Sequence, residues 1–107
     1  MGMLELTSED LDDKVAEKGD IIVDCWGTWC GHCEAVATHI ERVAEEYEER
    51  VAFAKILIDD EPDLIDRFDI RSQPVLLFFK DGELIDRSIG LKSIVELREK
   101  ILAHYPG

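Results

Sequence analysis

Two hydrophobic periods alternate along the chain. Residues 3–6 alternate apolar and polar positions like a short strand, and Thr7-Ser8-Glu9-Asp10 then supplies an N-cap with acidic residues in the first helical turn. Leu11 and Val15 give that helix its inner face, and Gly19 is placed to end it. Ile21-Ile22-Val23 is a continuous apolar run, the pattern of a strand covered on both faces and hence of a central parallel strand. Asp24 continues it, an odd position for a carboxylate. A long helix is expected over 33–50, with Val36, Ile40, Val43 and Tyr47 on one stripe and Glu41, Glu45, Glu48 and Glu49 outside it.

Residues 51–58 read as a second buried strand interrupted by Lys55, and Asp60-Glu61-Pro62 opens a short helix packed by Leu64, Ile65 and Phe68. A loop carrying Arg71-Ser72-Gln73-Pro74 leads into a strand over 75–80, and Asp81-Gly82 turns it into an antiparallel strand over 83–89. Ser93 with Glu96 forms a capping box for a last helix with Ile94, Leu97 and Ile101 facing inward. The order predicts one α/β domain over 1–107, a central mixed sheet of five strands flanked by four helices on its two faces. The stretch 26–33 then falls at the carboxyl end of a central strand, the usual address of an α/β active site.

At 107 residues the chain is long enough to bury a core without disulfide staples or a structural metal. Its 25 acidic and 12 basic residues leave a net charge of −13, which repels phosphate backbones and anionic membrane surfaces. Nucleic acid and membrane are therefore not expected partners. Residues 1–6 lack the basic and apolar regions of a signal peptide, and the last residues carry no retention motif, so a cytoplasmic protein is expected, and a monomer.

Three cysteines do not make a disulfide framework, which points to a reactive or metal-binding pair. Cys30 at a helix start has its thiolate stabilised by free N–H groups and the helix dipole, lowering its pKa to roughly 7 or below. Cys33 lies on the same helical face, close enough to attack a mixed disulfide at Cys30. A structural zinc site would need Cys25 and a histidine to complete the pair from a strand interior. A c-type haem is excluded because Glu34, not histidine, follows the second cysteine. Dithiol exchange, with no bound metal or cofactor, is the chemistry the spacing favours.

The Trp26-Gly27-Thr28-Trp29-Cys30-Gly31-His32-Cys33 stretch after an Asp-ended apolar strand, with Lys55, Gln73-Pro74 and Gly90 further on, resembles thioredoxins over essentially the whole chain. The resemblance implies the thioredoxin fold, a cis peptide bond at Pro74, and reduction of disulfides in client proteins with electrons from a flavoprotein reductase. It implies that Cys30 attacks and Cys33 resolves, with Asp24, behind Cys33 and near Lys55, accepting a proton through a water. A carboxyl in a dry interior has a raised pKa, which Lys55 moderates. A buried Asp24–Lys55 ion pair with structural duties alone is the alternative. The backbone of Gln73 is expected to pair with an extended client segment beside Pro74, and Trp29 to form part of the docking surface.

His32 stands where thioredoxins usually carry proline and gives Cys-Gly-His-Cys, the motif of protein disulfide isomerase domains. With Gly31 it is expected to tune the pair, stabilising the Cys30 thiolate and raising the reduction potential, so an isomerase or oxidase role stands beside the reductase role. A redox-inactive binding module is the reading from another class. Glu34, Thr38 and Gln73 also depart from the family pattern and bear on partner choice. Cys25, in place of a phenylalanine, is expected to be a small buried hydrophobe. His39 is expected at the surface and His104 in a fraying C-terminal turn.

Overall fold

The computed structural model describes residues 3–28, 33–71, 74–89 and 93–106, with the side chains of 33–35 left out. Its elements are β1 (Leu4–Glu5), α1 (Ser8–Lys18), β2 (Ile21–Trp26), α2 (Cys33–Tyr47), β3 (Ala52–Leu57), a 3-10 turn (Ile58–Asp60), α3 (Pro62–Arg67), β4 (Val75–Lys80), β5 (Glu83–Ile89) and α4 (Ile94–His104). They form a five-stranded sheet in the order β1-β3-β2-β4-β5. β2 is central, parallel to β3 on one side and antiparallel to β4 on the other. The expectation of a parallel strand therefore holds on one flank only. A buried strand carries the same apolar run in either setting, so the pattern reports burial and not the direction of a neighbour.

The alternation within the strands sorts the core into two layers. Ile21, Val23 and Cys25 pack with Leu11 and Val15 of α1 and Leu64 and Phe68 of α3. Ile22 faces the other way, joining Val36, Ile40 and Val43 of α2 with Leu97 and Ile101 of α4. Asp24 shares the side of Ile22, because alternate residues of a strand point to the same face.

Local chemistry sets most of the boundaries. Thr7 and Asp10 close a capping box at the start of α1, and Gly19 ends it at φ 75°. Asp81 and Gly82 both take positive φ, 53° and 83°, as a two-residue turn between twisted strands requires. The tip of that turn is tied back, Gly82 N–H donating to Gly19 O and Asp81 N–H to Asp20 Oδ1. The Ser93 hydroxyl caps α4 by accepting from Glu96 N–H.

Two expected elements are shorter than the pattern suggests. α2 stops at Tyr47, whose carbonyl accepts from both Arg50 N–H and Val51 N–H and turns the chain toward β3. Its last turn carries no basic residue, and Glu45, Glu46, Glu48 and Glu49 oppose the negative end of the helix dipole there. β3 ends at Leu57, and Ile58, fully buried, begins the 3-10 turn that Glu61 N–H closes onto its carbonyl.

His104 is not in a fraying turn. Its Nε2 lies 2.9 Å from Asp86 Oδ2, which also accepts from Lys100 Nζ at 2.8 Å, while Lys80 Nζ donates to the His104 carbonyl. Next to it Tyr105 is buried and its hydroxyl donates to Phe79 O at 2.8 Å. These bonds, made to β4 and β5, fasten the end of α4 to the sheet.

Candidate active site at the carboxyl end of the central strand

β2 delivers the chain to one end of the sheet. It finishes at Trp26, opposite Leu57 of β3, so Gly27 and Thr28 leave the sheet at the carboxyl ends of the two central parallel strands, and α2 starts at Cys33. β4 starts at that same end, with Val75 opposite both Cys25 of β2 and Ile89 of β5. Pro74, directly before Val75, is buried and would face Trp26 if the ladder ran one residue further. Sheet order alone therefore brings the Trp26 end of β2, Pro74 and Ile89 to one end of the sheet, although they are far apart in sequence.

Of the residues expected to make the site, Trp29, Cys30, Gly31, His32, Gln73 and Gly90 lie outside the described residues. Cys33 is described as the first residue of α2, by its backbone alone. Asp24, Lys55 and Pro74 are described with their side chains.

Asp24 is 5% exposed, and its Oδ1 is buried with no hydrogen-bond partner among the described residues. Burial pushes its carboxyl from 3.8 up to about 7, and the field of Lys55 pulls against that rise. A carboxyl poised there is half-ionised near neutrality and can take or give a proton at little cost.

Lys55 stands directly opposite Asp24 in the β2–β3 ladder, yet its ammonium pairs elsewhere. Lys55 Nζ is 3.6 Å from Glu5 Oε1, and the two form an ion pair at the sheet edge. The buried Asp24–Lys55 ion pair is thus not formed. Pairing at the edge leaves both charges partly hydrated, whereas an inward pair would desolvate them.

Three features of this end were missed in the sequence. Thr28 donates from its backbone N–H to Asp59 Oδ2 at 2.9 Å and from its hydroxyl to the same oxygen, pinning the loop after β2 to the 3-10 turn after β3. The two residues are 31 apart, and only the parallel register of β2 and β3 juxtaposes them. Glu5 reaches the site row because β1 pairs with β3. Ile89 is an apolar side chain left 62% exposed at the end of β5, which the alternation of that strand could have signalled.

Cys25 behaves as expected of a small hydrophobe. It points into the α1/α3 layer, is 1% exposed, and burial with the nearby Asp24 pushes its thiol up to about 12. Among the described residues no group of three or more His, Cys, Asp or Glu side chains could hold a metal ion, and no helix is long and apolar enough to cross a membrane.

Comparison with known proteins bears on the same arrangement. The family model described as Thioredoxin matches residues 2–103. A thioredoxin from Staphylococcus aureus is 35% identical over 104 residues, covering 97% of this chain and 99% of its own. The X-ray structure of Fasciola hepatica thioredoxin superposes with a TM-score of 0.86 at 36% identity, over 95% of this chain and 99% of that one. The oxidized form of mitochondrial thioredoxin 3 from Saccharomyces cerevisiae shares the fold, with a TM-score of 0.85 at 24% identity. A five-stranded mixed sheet with two helices on each face, and similarity to thioredoxins along nearly the full length of both chains, lead to one conclusion: this chain belongs to the thioredoxin family and has the thioredoxin fold.

Proposed function

We propose that the protein is a thiol-disulfide oxidoreductase that reduces disulfides in client proteins through Cys30 and Cys33. The observation that carries this reading is a buried carboxyl, Asp24, raised to about 7 on the strand that leads into the helix beginning at Cys33. A group that titrates at neutral pH behind a dithiol is suited to moving the thiol proton that exchange must release.

The Cys30 thiolate attacks one sulfur of the client disulfide, forming a mixed disulfide and expelling the first client thiolate. Cys33 gives its proton toward the Asp24 carboxylate, and its thiolate attacks the Cys30 sulfur. The Cys30–Cys33 disulfide forms, the second client thiolate leaves, and two electrons have passed to the client. The proton on Asp24 returns through solvent to a leaving thiolate. A flavoprotein reductase of the thioredoxin reductase type then restores the dithiol.

Pro74 and Gln73 form one side of the client groove, with Gly90, Trp29 and the exposed Ile89 as its apolar surroundings. An extended client segment adds to the backbone there as a strand does. Gly31 and His32 set the potential of the pair, His32 by stabilising the Cys30 thiolate. The protein works as a monomer in the reducing cytoplasm, with no bound cofactor beyond its own dithiol.

Turbidimetric insulin reduction tests this reading. The wild-type protein, recycled by dithiothreitol, should accelerate precipitation of the insulin B chain, and Cys30→Ser should abolish the acceleration. A wild-type protein no faster than dithiothreitol alone would mark it as a binding module whose thiols are idle.

A further inference from the structure

We propose that Glu5 is a positioning residue for Lys55, holding the ammonium at the open edge of the sheet and so limiting how much of its positive charge reaches the buried carboxyl of Asp24. The sheet register supplies the geometry. Glu5 of β1 is opposite Lys55 of β3, and Lys55 is opposite Asp24 of β2, which lines up three ionisable side chains on one face. The middle member has two partners to choose from and takes the outer one, with Nζ 3.6 Å from Glu5 Oε1. The inner one keeps a buried oxygen without a partner among the described residues.

Solvent decides which way Lys55 turns. Its side chain is 30% exposed and that of Glu5 is 78% exposed, so the outer pair keeps its hydration. Moving the ammonium inward would desolvate it against a carboxyl that is itself buried. The four-carbon stem of lysine is flexible enough for either arrangement, and Glu5 tips the balance outward. Charge–charge energy varies inversely with separation, so an outward-held ammonium opposes the rise of Asp24 less than an inward one would.

Among the described side chains little else competes for that carboxyl, and the Cys33 thiol, which the proposed function couples to it, is common to all four proteins compared below. Lys55 is the one charged side chain among the described residues whose field acts on Asp24. The helices over this face contribute apolar Val36, Ile40 and Leu97, and the rest of the row is Leu76 and Ser88. Arg87 acts on Cys25, in the opposite layer. Glu5 thereby gains influence over a group it does not touch.

This placement rests on the proposed function only for its catalytic consequence, and the titration of Asp24 tests it without any turnover. In protein kept reduced, the Asp24 carboxyl carbon is followed by NMR against pH in wild type, Glu5→Gln, Lys55→Met and the double variant. Glu5→Gln should lower the Asp24 midpoint by about 0.2–0.7 pH unit, the coupling expected of one exposed ion pair. In the Lys55→Met background the same substitution should leave the midpoint in place. An unchanged or raised midpoint in Glu5→Gln overturns the proposal. So does an equal fall without Lys55, which would mean that Glu5 acts on Asp24 directly through its own field. The pH profile of mixed-disulfide resolution should move by the same amount as the midpoint. A titration that moves while that profile stays fixed upholds the role of Glu5 and removes Asp24 from the reaction.

Discussion

Replacing Asp24 with asparagine should stabilise the protein, and by an amount that depends on pH. The carboxyl is held near 7 in the folded state against 3.8 in an ordinary environment, with desolvation the larger cause and Lys55 opposing it. The sign follows from proton binding. Between those two values the folded protein holds a proton that the unfolded chain has released, so stability is fully present below 3.8 and is lost as pH rises toward 7. Above 7 both states are ionised and the loss is complete. At 1.36 kcal/mol per unit the whole window amounts to about 4 kcal/mol, of which about 3 kcal/mol lies between pH 5 and pH 8.5.

Asparagine keeps the shape and cannot ionise, so it escapes this penalty. Urea unfolding of wild type and Asp24→Asn at pH 5 and pH 8.5, both kept reduced with a phosphine, measures the change directly. Titrating groups that do not couple to Asp24 are common to the two proteins and cancel in the difference. The advantage of the variant should grow by about 3 kcal/mol across that interval. Growth below about 1 kcal/mol would show that Asp24 is already well solvated or paired when ionised, and the account of its environment would fall. The same variant should slow disulfide exchange near neutral pH without unfolding the protein.

Other substitutions test separate links. His32→Pro should lower the reduction potential of the dithiol from a value between roughly −180 and −270 mV toward the lower figure, measured by equilibration against glutathione; a wild-type value already at or below −270 mV would deny His32 its tuning role. Cys25, buried with its thiol pushed up to about 12, should resist iodoacetamide at pH 8 in a Cys30→Ser, Cys33→Ser background and become labelled only on unfolding. Rapid native labelling would show that the strand opens readily. Tyr105→Phe removes the buried hydrogen bond to Phe79 O and should cost about 1 kcal/mol in urea unfolding. A negligible cost would mean that this bond adds nothing to the hold that the apolar face and the Lys80, Asp86 and His104 contacts already give α4.

The hairpin and most helix faces were legible because their signals are local. Asp81-Gly82 imposes positive φ on two residues, and the strands on either side run over 75–80 and 83–89, as the turn and its flanking residues predict. Leu11 and Val15, Val36, Ile40 and Val43, and Leu97 and Ile101 are buried because helical spacing puts them on one stripe. The apolar period carries α2 three residues past its end at Tyr47, since that period says nothing of an acid-rich last turn. His104 was misplaced because position near a terminus is a weak guide to burial. Its partners are Asp86 on β5 and Lys80 on β4, and nothing nearby in sequence announces them.

At the candidate site the division is sharper. Sequence by itself determined the dithiol spacing, the carboxylate at the end of an apolar strand, the lysine in the next buried strand and the proline ahead of the hairpin. Each is a matter of residue type and local period. Tertiary structure alone decided that Lys55 pairs with Glu5 and leaves Asp24 Oδ1 without a partner among the described residues, and that Asp59 anchors Thr28. Period fixes the face on which a side chain lies. Which strand lies alongside, and in what register, is set by packing across the whole sheet, and the charge felt by Asp24 depends on that register.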